Sequence, residues 1–347
     1  MRVLAAMSGG VDSSVTAALL LDAGHEVVGA TMKLWGGPSD QGCCSVADVD
    51  DARRVCQQLD IAHHVFNFSE EFDAAVVVPY VEAHTHGLTP NPCIECNRHL
   101  KFDRFLKRGE QLGFDAIATG HHARITHDDG TWNLRRGYDS AKDQSYVLHM
   151  LGQRSLAKTV LPVGTMNKSA VRAIADARGL RTAAKPDSQD TCFLPSIGGR
   201  STFLGDRIPL RPGRVVDTEG NPVGVVDAIE LVTVGQRRGL GVGASANHGE
   251  ARYAVAVDTQ AGVVTVGTID DLSTEAQAIT AVTWTHQPAR AGTQVRVQAS
   301  AHGASEPAVW TGDAVQWHER HRRIAPGQSV VLYSADDDRV LGGGIAP

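Results

Sequence analysis

The chain has no run approaching the roughly 18 consecutive apolar residues that a membrane-spanning helix needs. It has neither an internal repeat nor a low-complexity tract. The first ten residues, MRVLAAMSGG, are too short ahead of their glycines for a secretory leader and lack the arginines of a transit peptide. The expectation is a cytoplasmic protein with no membrane partner. Cysteine is scarce: Cys43, Cys44, Cys56, Cys93, Cys96 and Cys192 cannot staple 347 residues, and in a reducing compartment they suggest metal or redox chemistry instead. No G-x-x-x-x-G-K-[ST] occurs, which excludes a Walker-type phosphate loop and its lysine. No second C-x-x-C accompanies Cys93 and Cys96, and His99 is poorly placed, which speaks against a zinc ribbon.

The charge present is unevenly spread. A net charge of -6 taken alone argues against a nucleic-acid partner. Residues 91–214, however, carry 20 basic and 12 acidic side chains, whereas both flanking thirds are acidic. A basic surface on an acidic protein is what a polyanion-binding face produces, although solvated helix faces give similar counts.

Apolar runs that read as strands alternate with helical patterns through the first half: RVLAAM, SSVTAALLLDAG, EVVGATMKL, SVADVDDARRVCQQLD, HHVFNF, EEFDAAVVVPYVEAH, NRHLKFDRFLKRGEQLG and DAIATG. Such alternation predicts an α/β domain with a parallel sheet, whose ligands bind beyond the carboxyl ends of the strands. A hairpin turning at Asp129-Gly130 and a helix begun by Asn167 follow. Beyond residue 205 or so, short β-type runs separated by Gly, Pro and Asp predict small barrels. The expected division is a catalytic domain over 1–200, a small β-rich domain over 201–272 and a β-barrel over 273–347.

The stretch MSGGVDSSV lies where the first strand passes into the first helix. Glycines admit an anion to the backbone, the helix start adds a positive end, and the Ser8, Ser13 and Ser14 hydroxyls can add donors. A polyphosphate is the expected ligand, with pyrophosphate as leaving group and Asp12 beside a Mg²⁺ ion. The loop resembles the SGGxDS signature of the ATP pyrophosphatase (PP-loop) superfamily, whose members release pyrophosphate while adenylating an oxygen. Two further stretches carry cysteines: TPNPCIECNRHLKF and KPDSQDTCFLP. Asn97 is read as capping the helix after Cys96, which would favour the Cys96 thiolate. Cys56 reads as core, and Cys43 and Cys44 as structural or incidental.

In order and spacing, AAMSGGVDSSV, GCCS, TPNPCIECNRHLKF, ATGHHAR, KDQSYVL, KPDSQDTCF, VTVGQRRGLGVG and LGGGI resemble the tRNA-uridine 2-sulfurtransferase (2-thiouridylase) family along the whole chain. The resemblance implies a PP-loop fold and ATP-dependent 2-thiolation of a wobble uridine. It implies that Ala6, Met7, Ser8, Gly9, Gly10, Val11, Asp12 and Ser13, with Met32 and Gly120, bind ATP. Asn91, Pro92 and Cys93 would face the target base, and His121, Lys142, Asp143, Gln144 and Gln328 would touch tRNA. Cys192 would carry a persulfide delivered by a protein donor, a cysteine desulfurase or relay protein, and Cys96 would be the nucleophile that forms a disulfide with it. One departure stands out: Cys93 occupies a position where many members carry an aspartate general acid/base. Cys93, Cys96 and Cys192 could alternatively ligate a [4Fe–4S] cluster with one open iron. Rival readings are an ammonia-transferring synthetase with the same loop, a non-catalytic RNA-binding protein, and a 4-thiouridine synthase.

Overall fold

A computed structural model describes residues 1–34, 45–187, 193–194, 199–242 and 250–347. Strands β1 (Arg2–Ala6), β2 (Glu26–Lys33) and β3 (His63–Asn67) are laid outward from the centre of a parallel sheet. The chain then returns to place β4 (Ala116–Ala118) on the other side of β1, followed by β7 (Thr159–Val160), giving the order β3-β2-β1-β4-β7. All four pairings are parallel. The apolar run of β1 is buried from Val3 onward because helices cover both faces of the sheet. β7 has only two residues, too short for any periodicity to announce it.

The order reverses between β1 and β4, where Ala5 pairs with Ala118. Such a switch point opens a crevice at the strands' carboxyl ends. There the first helix, Val11–Asp22, starts so close to Gly120 that a Cβ on that glycine would lie 2.8 Å from the Asp12 carbonyl carbon and the Ser13 nitrogen.

The helix Val46–Gln58 is capped by the Ser45 side chain, which accepts from Asp48 N. It buries Ala52, Val55 and Cys56, whereas Val46, at the helix start, is 75% exposed. The helical run from Ser69 to Thr85 contains a π-helical segment, Asp73–Val77. A second helical run begins at Pro92 and is π-wound over Cys96–Phe105. Its cap is Asn91, whose side chain accepts from Cys93 N; Asn97 lies inside the helix, 2% exposed, and donates to Val147 O. The expected capping role of Asn97 is therefore corrected: Cys93 occupies the first turn and Cys96 the next.

The hairpin β5 (Ala123–Asp128) and β6 (Thr131–Arg136) turns at Asp129-Gly130, both with positive φ as the sequence required. Asn167 caps Lys168–Ala177 by accepting from Ala170 N. A helix that the sequence did not announce, Gly199–Gly205, follows. The central domain is a four-stranded sheet of β8 (Gly213–Val216), β9 (Pro222–Val226), β10 (Tyr253–Asp258) and β11 (Val263–Gly267) in the order β10-β11-β8-β9. Within IELVTVGQRRGLGVG, Ile229–Leu231 forms one 3-10 turn and residues 232–241 are irregular, so this part of the region expected to be β-rich carries no strand. After the short helix Ile269–Leu272, β12 (Ser273–Ala278) to β18 (Val340–Ile345) make a seven-stranded antiparallel sheet. It includes β16 (Ala314–Arg322), on which HERHRR rides with its charges mostly in solvent. No helix among the described residues is long and apolar enough to cross a membrane.

The C-terminal sheet is welded to the parallel-sheet domain. Arg136 lies 3.7 Å over the Tyr333 ring and bonds Asp143, Asp337 and Gln298, while Arg124 and Arg135 share Asp338. Tyr146 donates to Ser329 O. Against this joint His149 is buried, with its Nδ1 bonded to Tyr146 O and no partner for Nε2 among the described residues. Burial pushes the His149 pKa down to about 4, with the Tyr146 bond opposing and the Arg98 charge adding.

Two outcomes follow from this packing. A histidine held neutral in the fold takes up its proton more readily when unfolded, so stability drains as pH falls from the unfolded pKa of about 6.5 toward 4, by up to ~3 kcal/mol for His149. Thermal melts across that range should show the loss, and His149→Gln should flatten it; an equally steep profile in the variant contradicts the assignment. Gly120→Ala should lower the melting temperature by several degrees, because the methyl group meets backbone rather than a yielding side chain; an unchanged melt counts against the close approach.

Candidate functional site

The crevice between β1 and β4 is built first by the turn after β1. Gly9 has φ +74° and lies so near Asp48 O that a Cβ would approach it to 2.3 Å, so only glycine fits. Gly10 is the N-cap residue of the first helix, and among the described residues no side chain caps that start. Its amide donors and the positive helix end are thus open to an anion. The hydroxyls divide their work differently from the sequence expectation. Ser14 is fully buried and donates to Gly10 O at 2.8 Å while accepting from Thr182. Ser13 Oγ accepts from Ser8 N and donates to Gly10 O. These two hydroxyls shape the loop, and only Ser8 is exposed.

Asp12 is held by a lysine and a histidine. Lys168 Nζ reaches its two oxygens at 2.8 and 2.6 Å, and His122 Nε2 lies 3.0 Å from Oδ1. Burial would raise the Asp12 pKa, but the His122 and Lys168 hydrogen bonds and the Lys168 charge outweigh it, and the carboxyl is held below its usual range. Lys168 also lies 3.0 Å from Asp187, which bonds Lys142 and Arg172. For Asp187 too, burial is overridden by its lysine partners, and the carboxyl sits well below its ordinary value. Lys185 donates to Gly9 O and pairs with Asp48 and Asp51.

Sequence reasoning missed these lysines as loop ligands. One signal was available: Lys168 opens a helix, where a positive charge opposes the helix dipole, and a residue placed against that preference has another task. A Mg²⁺ ion fits Asp12 as its single protein carboxylate, with phosphates and water completing its shell, once Lys168 yields an oxygen. Among the described residues no group of three His, Cys, Asp or Glu side chains is arranged to hold a metal.

The other expected residues divide into groups. Met32 is half-buried on β2, beside the loop strand. His121 is buried between the loop and the cysteine-bearing helix, its Nδ1 2.7 Å from Thr119 Oγ1 and its ring 5.7 Å from Phe102. Burial above all, then the charges of Lys101 and His122, holds it neutral. Asp143 is consumed inside the chain, accepting from Gly137 N, Ser145 and Arg136, and Gln144 accepts from His122 N. Gln328 Nε2 donates to Thr89 O, at the root of the segment 91–93.

Asn91, Pro92 and Cys93 are half-buried at the start of their helix, and Cys96 is 7% exposed in the cluster that also holds Tyr80, Ile94 and Phe193. Cys192, Cys43 and Cys44 lie outside the described residues. Phe193, next to Cys192, packs edge-on against Tyr80 at 5.6 Å. Burial raises the Tyr80 pKa, and the negative charge Cys93 can carry adds to the rise.

Residues 1–196 match the family described as the tRNA methyl transferase HUP domain, 201–268 its PRC-barrel domain, and 274–346 the aminomethyltransferase beta-barrel domain. The "tRNA-specific 2-thiouridylase MnmA" of Chloroflexus aggregans is 46% identical, covering 99% of this chain and 97% of the relative. That of Mycobacteroides abscessus is 44% identical, covering 99% of each. A solved 4-thiouridine synthetase in complex with RNA and ATP is 16% identical over 59% of this chain and 49% of its own, with a TM-score of 0.37, too distant to carry an argument. Identity at this level along three successive domains shows that the chain belongs to the tRNA-specific 2-thiouridylase family.

Proposed function

We propose that this enzyme uses ATP to adenylate the C2 oxygen of a tRNA wobble uridine and replaces that oxygen with sulfur from a Cys192 persulfide. The observation that carries the reading is the convergence at the switch point: an uncapped helix start, Lys168 and Asp12 stand beside His121, which packs on the helix bearing Cys93 and Cys96.

In the first step the uracil O2 attacks the α-phosphorus of ATP and pyrophosphate leaves. The helix start and Lys168 hold the phosphates and offset the charge that builds on the leaving group. Mg²⁺ on Asp12 would add charge compensation there. In the second step the Cys96 thiolate attacks the sulfur of Cys192 that bears the persulfide, releasing hydrosulfide and leaving a Cys96–Cys192 disulfide. Hydrosulfide adds at C2, AMP departs with the former O2, and a thiol reductant restores the two cysteines. Asn91, Pro92 and Cys93 line the side from which the flipped base enters, a displacement that is cheap in a single-stranded loop. Phe193, locked among Phe72, Tyr80 and Phe203, supports a course in which the Cys192 segment starts from the same cluster as Cys96. The methyl transfer named in the domain descriptions is the weaker reading, because a loop lined by open amides and a lysine suits a polyphosphate.

Mass spectrometry of wobble nucleosides from cells lacking the protein should show 2-thiouridine lost; its persistence defeats the proposal. Lys168→Ala should slow pyrophosphate release by roughly 10²-fold while tRNA affinity stays near wild type, the scale of removing one charge-stabilising donor. A main defect in tRNA binding would instead place Lys168 on the RNA.

A further inference from the structure

The stretch VTVGQRRGLGVG is not used by the chemistry above, yet residues 233–240 form a braced turn in the central domain. Gly235 N donates to Ala254 O and Ala254 N to Gln236 O, tying the turn to β10. The Gln236 side chain accepts from Thr233 N through Oε1 and donates to Arg238 O through Nε2, bracing the turn from inside. Leu240 plugs the central core, and Val242 bridges Gly224 of β9. Gly235 and Gly239 take positive φ, closing the turn in a form other residues rarely adopt. What this scaffold holds out to solvent is Arg237 and Arg238, both exposed, and neither guanidinium bonds or pairs with another described residue.

The turn is anchored at the approach to the base-handling segment. Thr89, two residues before Asn91, donates through Oγ1 to Thr233 Oγ1 at 3.3 Å. From the other side it is held by the C-terminal domain, with Thr89 N bonded to Pro326 O and Thr89 O to Gln328, both at 2.8 Å. Arg322 and Arg323 lie just ahead of that contact and are exposed as well. All three domains thus meet at Thr89, and Arg237 and Arg238 ride on the turn that Thr233 joins to it, whereas Arg322 lies over the Tyr253 ring and Arg323 donates to Val255 O.

We propose that Arg237 and Arg238 grip backbone phosphates of the tRNA strand beside the target uridine, acting as a rigid clamp that sets its register. The inference rests on the reading that Asn91 to Cys93 face the target base. Guanidinium forks suit phosphate oxygens, and a turn already locked by Gln236 spends little ordering entropy on binding. The contacts are to backbone, so they raise affinity without reading sequence.

The test uses the full-length protein with both arginines changed to Ala, and a second variant with both changed to Lys, titrated with tRNA across roughly 50 to 200 mM salt. The Ala pair should reduce the slope of log affinity against log salt by about 1.4, some 0.7 for each single-strand phosphate contact. It should also raise KM for tRNA without changing kcat or the melting temperature. The Lys pair should recover most of the slope but less of the affinity, because the charge returns and the fork does not. Wild-type slope and affinity in the Ala pair overturn the proposal. So does intact tRNA binding combined with sulfur transfer that fails from a protein persulfide but survives with free sulfide, which would make the arginines a dock for the donor. A wild-type protein that binds tRNA through these arginines yet forms no 2-thiouridine would refute the functional reading while leaving this one standing.

Discussion

The structure depends on how closely β4's exit approaches the start of the first helix. Gly120 has no room for a side chain against the peptide joining Asp12 to Ser13, and that contact brings two loops distant in sequence to one crevice. From the β1 side come open amides and Asp12; from the β4 side come His121 and His122. A parallel sheet supplies such a crevice wherever its winding reverses. This chain reverses at β1, where its glycine-rich loop lies.

Charge then decides what the crevice accepts. The loop has no lysine of its own, and the fold supplies two from later in the chain, Lys168 on Asp12 and Lys185 on Gly9 O. Without ligand these cations are paired with Asp12, Asp48, Asp51 and Asp187, which spares the protein a cluster of unopposed buried charge. Lys185 is tied directly to the glycine-rich loop through Gly9 O, and Asp187 through Lys168 to Asp12.

The two β domains are structural partners of the site. Arg136, stacked on Tyr333 and bonded to Asp143 and Asp337, joins the catalytic domain to the C-terminal sheet. Thr89 joins both β domains to the irregular segment entering Asn91. The segment entering Asn91 is thus held from three sides.

Much of this was legible in the residues. The β1-to-helix phosphate loop, the Asp129-Gly130 hairpin and the Asn167 cap each follow from short-range rules: glycines where φ is positive, a side-chain oxygen where a helix begins. Local pattern could not show that Asn91 rather than Asn97 caps the cysteine helix, because either amide fits a cap and only burial of Asn97 against Val147 O decides. Nor could it show that Ser14 and Asp143 spend their polar atoms inside the chain, or that Lys168 and Lys185 complete the loop from more than 150 residues away. Sequence by itself determined which backbone conformations and which reactive side chains exist. Which of them meet was decided by tertiary structure alone, because hydrogen bonds and ion pairs act over a few ångströms and the spacing between their partners is set by the winding of the sheet.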